Sequence, residues 1–306
     1  MTQQARPRMH RTIAGAFFLL PLLSLLLWAA PARAQLLVTL QLKRATYMLH
    51  EPVIATVIIT NNTGREVMLD DTEEAGQWFS FQITNAENKV IPPRNLKYEL
   101  EPLPIAAGAT VKRTVNLSQL YALDDYGLFK VRASVLFPPL GKFFSSKYHP
   151  LEITEGKVIW KETVGVPEDA NAYRTFELLT MEHDKGKALY VRIQGQDDGS
   201  TYGCYELGPQ VAEFMPQTMF DRANHLWILQ LASPKTYFLT RIGTDGKFEG
   251  QSTYVTPKSI PHLRKLADGT MQIVGAFRQD RVAQEQHEAE APKLSDRPAG
   301  LPGVQK

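Results

Sequence analysis

The chain has 306 residues, of which 43% are hydrophobic and 9% aromatic, a composition typical of folded proteins that excludes a fully disordered chain. The formal net charge is +2, and no basic stripe is interleaved with aromatic residues, so the sequence gives no electrostatic argument for nucleic-acid binding. The single cysteine, Cys204, excludes an intramolecular disulfide.

Residues 1–34 have the pattern of an export signal. Three arginines precede an apolar run at residues 13–30, and Ala32-Arg33-Ala34 forms a small-x-small cleavage site, so cleavage is expected before Gln35. The alternative is an uncleaved anchor, because the run is close to the shortest length that spans a bilayer. Cleavage would leave 30 of the 34 basic residues against 32 acidic ones. We therefore expect a nearly neutral periplasmic or secreted protein that contacts the membrane only if this segment stays attached.

Residues 35–155 are predicted to form a β-sandwich, because short segments alternate between apolar and polar residues with a period of two. Turn-forming residues, such as those at 61–64 and 85–88, separate these segments. Ser118 is expected to cap a short helical turn at residues 119–121. The predicted strands are residues 36–42, 52–60, 66–69, 79–84, 90–91, 110–117, 125–135 and 149–154.

The strand at residues 125–135 carries a resemblance to a known family. Its start, Asp125-x-Gly127-x-Phe129-x-Val131, resembles the opening of strand F in immunoglobulin-like sandwiches, with Phe129 at the corner tyrosine and Val131 at the disulfide cysteine. The order of Gly108, Leu117-Ser118-Gln119-Leu120-Tyr121 and this strand is similar to that of Ig-like modules in bacterial envelope and secreted proteins. The resemblance implies an Ig-like sandwich without the corner hydroxyl, since Phe129 has none, and without the inter-sheet disulfide.

Residues 156–172 are predicted to be a linker, because the strand pattern loosens and residues 165–171 are mostly turn-forming. Trp160 is expected to pack in the seam between the two domains.

Residues 173–278 are predicted to repeat a β-unit. Residues 201–208 align with residues 236–243, which lie 35 positions later, and turns led by Asp184, Asp221 and Asp268 each precede an apolar strand. Such units are typical of propeller blades. A closed propeller needs about four blades or more, whereas this region holds two or three units. We therefore expect an open, blade-like antiparallel β-repeat domain, with half of an oligomeric propeller as the alternative.

Residues 279–306 are predicted to be a polar, largely disordered tail, with a short helix at residues 284–290.

The sequence contains no nucleophile elbow, phosphate-binding glycine loop or paired metal-ligand motif, so no catalytic, cofactor-binding or metal-binding residue is assigned. Several side chains could take part in catalysis or binding, but a structural role is favoured for most of them. These roles are turn geometry for the histidines, solvation for the acidic loop, and core packing for Cys204 and Phe79. Trp78 alone is expected to be exposed as a ligand-stacking aromatic. The candidates are Glu182-His183-Asp184, Asp221 with His225, Asp70-Asp71-Thr72-Glu73-Glu74, Cys204, and the aromatic group of Trp78, Phe79 and Tyr121.

The sequence therefore predicts an all-β, non-catalytic, exported binding or scaffold protein of the bacterial envelope, with a protein or polymer as its unidentified ligand. The alternative is a hydrolase of an envelope polymer, with its site in the interdomain cleft and His225 or His183 as a participant.

Overall fold

A computed structural model describes residues 36–71, 77–94, 101–183, 186–211, 214–257 and 259–280. The predicted all-β class is confirmed, since antiparallel sheets dominate these residues. The described helices are the single turn α1 (Leu117–Leu120) and a 3-10 turn at Pro138–Leu140, and residues 279–280 are also helical. No helix in the described part of the chain is long and apolar enough to cross a bilayer. The predicted export signal and the predicted tail helix lie outside the described residues.

Residues 36–154 form two sheets that enclose one apolar core, called the sandwich below. One sheet has the order β1-β3-β7, and the other has the order β2-β10-β8-β5 with β9 beside β8. Strand β2 runs parallel to β10, and β4 pairs with β6 in a separate ladder. The strands are β1 (Leu36–Leu42), β2 (Thr46–Met48), β3 (Ile54–Asn61), β4 (Val67–Leu69), β5 (Phe79–Asn85), β6 (Leu103–Ile105), β7 (Thr110–Asn116), β8 (Gly127–Phe137), β9 (Lys142–Ser145) and β10 (His149–Thr154).

The core of the sandwich follows the predicted alternation. In β3 the buried apolar residues are Ala55, Val57 and Ile59, and in β8 they begin with Phe129 and Val131. Their neighbours along each strand face outward because successive side chains of a strand point to opposite faces. The predicted strand at residues 90–91 is reduced to one isolated bridge between Thr84 and Val90.

The cap of α1 differs from the prediction. Asn116 is the N-cap, since its side-chain oxygen accepts a hydrogen bond from the Ser118 N–H at 3.1 Å. The Ser118 hydroxyl instead accepts from the Val53 N–H at 3.0 Å and donates to the Glu51 carbonyl at 3.1 Å. Ser118 therefore ties the helical turn to the loop before β3, a long-range contact that local sequence does not encode.

Residues 157–278 form two larger sheets and a hairpin. The middle sheet has the order β11-β12-β13-β14, the outer sheet has the order β15-β16-β17-β18-β21, and β19 pairs with β20. The strands are β11 (Lys157–Val166), β12 (Asp169–His183), β13 (Gly186–Gly195), β14 (Thr201–Pro209), β15 (Gln217–Phe220), β16 (Leu226–Ser233), β17 (Thr236–Ile242), β18 (Phe248–Val255), β19 (His262–Lys265), β20 (Met271–Val274) and β21 (Phe277–Arg278).

The prediction of a linker at residues 156–172 is wrong. This segment contains β11 and the start of β12, joined by a tight connection in which Val166 pairs with Asp169. The turn-forming residues that suggested a linker make this hairpin connection. Trp160 was expected in the interdomain seam, but it packs between the middle and outer sheets, with its ring centroid 6.3 Å from that of Phe220.

The middle sheet is covered on both faces. Phe176, Leu189 and Val191 face the outer sheet, where they pack with Leu226 and Ile228 in one apolar cluster. The other face of the outer sheet packs against the β19–β20 hairpin. The sequence repeat corresponds to the hairpins β13–β14 and β16–β17, which are the last two strands of the middle sheet and the second and third strands of the outer sheet.

Candidate functional site

The sandwich rests on the second face of the middle sheet, which is partly polar. Cross-strand pairing places Tyr190 between Leu179 and Glu206 in one row of this face, and Arg192 between Glu177 and Cys204 in the next. Among these six residues only Glu206 retains appreciable exposure. Burying charges is unfavourable unless they are paired, so the seam depends on its ion pairs.

The first ion-pair network joins the start of the sandwich to β14. Glu206 accepts hydrogen bonds from Lys43 Nζ at 2.8 Å and from Arg44 Nη1 at 2.7 Å. Arg44 also pairs with Glu51, and both of these side chains are more than nine-tenths buried. Burial raises the pKa of the Glu206 carboxyl, but the hydrogen bonds from Lys43 and Arg44 outweigh burial and lower that pKa overall. The charged form of Glu206 is therefore favoured in the folded protein.

The second network lies one row away on the same face. Arg192 donates to Glu177 Oε2 at 2.8 and 3.0 Å and to Glu155 Oε1 at 2.8 Å, and Glu155 also accepts from the Tyr126 hydroxyl. Lys161 Nζ lies 3.0 Å from Glu177 Oε1. Burial raises the pKa of Glu177, yet hydrogen bonds from Arg192 and Lys161 outweigh it, so the net shift is downward. Two networks thus connect the sandwich to the middle sheet.

An apolar cluster fills the space between the networks. Met48 from the sandwich packs with Leu179, Tyr190 and Cys204 of the middle sheet. The prediction that Cys204 packs in a core is confirmed, since it is 2% exposed, and burial raises the pKa of its thiol. A buried, protonated thiol is a poor nucleophile. Cys204 therefore contributes packing to the seam.

Two clefts open along β14 where the sandwich meets the middle and outer sheets. We call the larger one, of about 450 Å³, the aromatic cleft and the smaller one, of about 320 Å³, the polar cleft. Both are lined by Pro52, Cys204 and Tyr205, so they adjoin at these residues. Together we call them the groove.

The aromatic cleft combines rings with an ion pair. Tyr205 and Phe248 have ring centroids 5.5 Å apart, and Phe238 lines the cleft beside Gly208. A Cβ on Gly208 would lie 3.0 Å from the Phe238 ring, so glycine allows this close approach. The Lys43–Glu206 pair forms the polar side of the cleft. The cleft therefore offers apolar faces beside a fixed polar edge, the arrangement usual in small-ligand sites.

The polar cleft is lined by hydrogen-bonding side chains. Arg94 Nη2 donates to both carboxylate oxygens of Asp124, at 2.5 and 2.7 Å. His50 adopts a left-handed backbone conformation with φ of 68°, and burial lowers the pKa of its imidazole. The hydroxyl of Thr201 is buried and has no hydrogen-bond partner among the described residues. This cleft thus presents an uncharged imidazole, whereas the Thr201 hydroxyl is shielded from solvent.

The predicted histidines lie outside the groove. His225 Nδ1 is 3.1 Å from Asp221 Oδ2 and 2.9 Å from Arg241 Nη2, and His225 Nε2 is 3.5 Å from Glu249 Oε1. Asp221 is fixed by the Trp227 indole N–H at 2.9 Å. This cluster closes the turn before β16. The alternative hypothesis placed His225 or His183 in an interdomain cleft, and the structure places His225 at this turn, where it lines neither cleft of the groove.

His183 likewise lines neither cleft, and its buried Nε2 has no partner among the described residues. Its predicted neighbour Asp184 lies outside the described part. His50 is absent from the candidates that the sequence offers, because its position in the groove depends on how the two halves pack. The only local signal was a histidine between two strands, which is not specific.

The structure also places the aromatic candidates and part of the acidic loop. Phe79 and Tyr121 are buried, as expected for Phe79, but the predicted exposure of Trp78 is wrong, since its side chain is fully buried against Phe79. In the acidic loop, Asp71 Oδ1 accepts from the Trp78 N–H at 3.0 Å, and residues 72–74 lie outside the described part. Within the described ranges no three His, Cys, Asp or Glu side chains converge as metal ligands.

Comparisons with known proteins assign no family to this chain. No family model matches the chain, and no curated protein matches it. Among solved structures, the chain has a likeness to Spo0M, a sporulation control protein from Bacillus subtilis, at 10% sequence identity over 83% of this chain and 94% of that one. The TM-score of 0.27 is too low for this likeness to support any conclusion about the chain.

Proposed function

We propose that this chain is an exported, non-catalytic binding protein of the bacterial envelope that holds a polymer in the groove along β14. The observation that carries the proposal is the aromatic cleft, where the rings of Tyr205 and Phe248 lie beside the Lys43–Glu206 pair in a volume of about 450 Å³. Aromatic faces with a few fixed polar groups give binding sites both affinity and orientation.

The ion pairs behind the groove support a binding role more than a catalytic one. Arg44 pairs with both Glu51 and Glu206, and Arg94 pairs with Asp124, so these charges already have partners. A catalytic acid or base needs a proton that it can exchange with substrate. The Lys43–Glu206 and Arg44–Glu206 pairs fix the sandwich wall of the groove relative to β14, which reduces the ordering that a ligand would otherwise have to impose.

The proposal extends to the architecture and the compartment. In the sandwich, the parallel pairing of β2 with β10 and the sheet orders β1-β3-β7 and β2-β10-β8-β5 support an immunoglobulin-like assignment. The successive antiparallel sheets of the second half support a propeller-like stack. Export rests on the pattern of residues 1–34. Mass spectrometry of protein recovered from the periplasm of an expressing bacterium should find an amino terminus at Gln35, and an intact terminus would contradict cleavage.

The binding proposal is tested by cosedimentation of the purified protein with peptidoglycan sacculi and with lipopolysaccharide aggregates. Phe248→Ala removes the exposed ring of the aromatic cleft, whereas Phe277→Ala removes an exposed ring from β21, outside the groove. We expect one of the two polymers to sediment the protein, with Phe248→Ala weakening binding and Phe277→Ala leaving it unchanged. No sedimentation with either polymer, or equal effects of the two substitutions, would overturn the proposal.

A second candidate, a hydrolase of the same polymer, is favoured by one observation. The His50 imidazole lines the polar cleft, and its lowered pKa keeps it uncharged at neutral pH, as a general base requires. Incubating sacculi with the protein and measuring released soluble fragments tests this candidate. Release that is abolished by His50→Asn would establish it, and the absence of release by the unmodified protein would exclude it for this polymer.

A further inference from the structure

The two clefts of the groove follow one strand. The polar cleft touches Thr201 and Tyr202 at the start of β14, and the aromatic cleft touches Leu207 and Gly208 near its end. At about 3.3 Å per residue, this stretch of strand is roughly 23 Å long. A ligand that contacts both clefts must therefore be an extended chain.

The backbone of β14 is poorly suited to pairing with an extended peptide. The Leu207 carbonyl already accepts from Gln251 Nε2 at 2.8 Å, and Gln251 is itself held to the Thr240 hydroxyl at 3.0 Å. The pairing of β14 with β13 is also irregular at this point, since Leu189 and Tyr190 pair with Gly208 and Glu206 and skip Leu207. Strand addition needs a free and regular edge, so recognition here falls to side chains.

The side chains of the groove carry balanced charge. Lys43 is paired with Glu206 in the aromatic cleft, and Arg94 is paired with Asp124 in the polar cleft. A strongly charged ligand would have to compete with these pairs and would gain little net attraction. The balance therefore favours an uncharged ligand.

The remaining groups match a ligand that has both hydroxyl or amide groups and apolar faces. In the polar cleft, the His50 imidazole can both donate and accept hydrogen bonds. In the aromatic cleft, Tyr205 and Phe248 present ring surface. Sugar rings combine outward hydroxyls with apolar C–H faces, whereas a peptide would rely on backbone pairing that β14 does not offer.

We propose that the groove binds an extended, uncharged oligosaccharide segment, with sugar faces stacked on Tyr205 and Phe248 and sugar hydroxyl or amide groups bonded to His50. This inference rests on the proposed function, since it names the ligand class of the same groove. The two proposals can be tested separately, because sacculi contain both glycan strands and peptides and binding to sacculi does not show which of them is recognised.

Isothermal titration calorimetry on the full chain tests the inference with three probes of similar length. These are the neutral β-1,4-linked tetramer of N-acetylglucosamine, the acidic tetramer of galacturonic acid, and a peptidoglycan stem pentapeptide. We expect binding of the neutral tetramer alone. Phe248→Ala should weaken its affinity by about five- to tenfold through loss of ring contact, whereas Phe277→Ala should not.

A second substitution, His50→Asn, tests the polar cleft of the groove. His50→Asn keeps a residue that tolerates positive φ, so the backbone is retained while the imidazole is removed. We expect this change to weaken binding of the neutral tetramer, and circular dichroism should show an unchanged fold. If only one of Phe248→Ala and His50→Asn weakens binding, a ligand that spans both clefts is excluded.

The outcomes separate the two proposals. Groove-dependent binding to sacculi with no heat from the neutral tetramer, or with preference for the peptide or the acidic tetramer, overturns the oligosaccharide inference and leaves the binding function standing. Tetramer binding that both groove substitutions leave unchanged also overturns the inference. Tetramer binding in the groove without sedimentation on either polymer overturns the envelope function instead.

Discussion

The hydroxyl of Tyr121 bonds to both backbone groups of Phe81, donating to its carbonyl at 2.8 Å and accepting from its N–H at 3.0 Å. This contact ties the turn before β8 to β5 in the buried core, where the two rings lie 6.3 Å apart in an edge-on arrangement. The two residues are 40 positions apart in sequence, so this contact depends on how the turn packs on β5.

Removing the Tyr121 hydroxyl should destabilise the sandwich. Tyr121→Phe leaves the buried N–H and carbonyl of Phe81 without their partner, and we expect the free energy of unfolding to fall by about 1–3 kcal/mol. Guanidinium-induced unfolding followed by circular dichroism measures the change. Tyr148→Phe is the control, because Tyr148 is 43% exposed. Equal stability of the two variants would show that the Tyr121–Phe81 hydrogen bonds contribute nothing.

The buried Arg44–Glu51 pair predicts that replacing Arg44 destabilises the protein much more than replacing its neighbour Lys43. Arg44→Met leaves the Glu51 carboxylate buried without its guanidinium, and we expect a loss of about 3–5 kcal/mol. Lys43→Met removes a side chain that is 65% exposed, so its loss should stay below about 1 kcal/mol. Chemical denaturation of both variants makes the comparison. Similar losses would contradict the view that the buried Arg44–Glu51 pair makes Arg44 more important for stability than Lys43.

The lowered pKa values of Glu177 and Glu206 predict loss of stability in acid. A carboxyl whose folded pKa lies below its unfolded value, about 4.3 for Glu, binds its proton more readily when unfolded. The stabilisation is therefore complete above the unfolded pKa and declines as pH falls through the folded pKa. We expect Glu177→Gln to flatten the fall in melting temperature below about pH 5. Glu162→Gln is the control, because Glu162 is exposed. A melting-temperature profile of Glu177→Gln that matches the unmodified protein would contradict this assignment, and so would an equal flattening by Glu162→Gln.

A close approach at Gly246 predicts intolerance to any side chain. Its φ is 81°, and an added Cβ would lie 2.6 Å from the Tyr202 Cβ and 2.7 Å from the Tyr202 carbonyl oxygen. Gly64 has a similar φ of 76° but open space around it. We expect Gly64→Ala to cost about 1–2 kcal/mol through backbone strain alone, and Gly246→Ala to cost about 1–3 kcal/mol more through overpacking. Thermal unfolding of the pair measures the difference, and equal costs would refute the steric argument.

The thiol of Cys204 should be inert in the folded protein. Burial raises its pKa and blocks access, so a chromogenic disulfide reagent should react only as the chain unfolds. In guanidinium one thiol per chain should react, since the sequence contains one cysteine. Rapid reaction of the native protein at neutral pH would mean that the seam opens readily.

Local alternation predicted most of the sandwich strands because a half-buried strand places every second side chain in the core. Residues 36–42, for example, are β1, with Leu36, Val38 and Leu40 buried. The same rule failed for Trp78, which stands just before β5 and is buried beside Phe79. At a strand end the backbone leaves the regular ladder, so the period of two no longer determines which way a side chain points.

The sequence by itself determined an all-β chain and the burial of Cys204, because strand periodicity and the repeat alignment are properties of neighbouring residues. Only the tertiary structure decided where the groove lies and which residues line it. Lys43 and Glu206 form their ion pair across 163 positions of sequence, and His50 meets Thr201 in one cleft. Such contacts depend on how one sheet packs on another, and no local pattern of polarity records that packing.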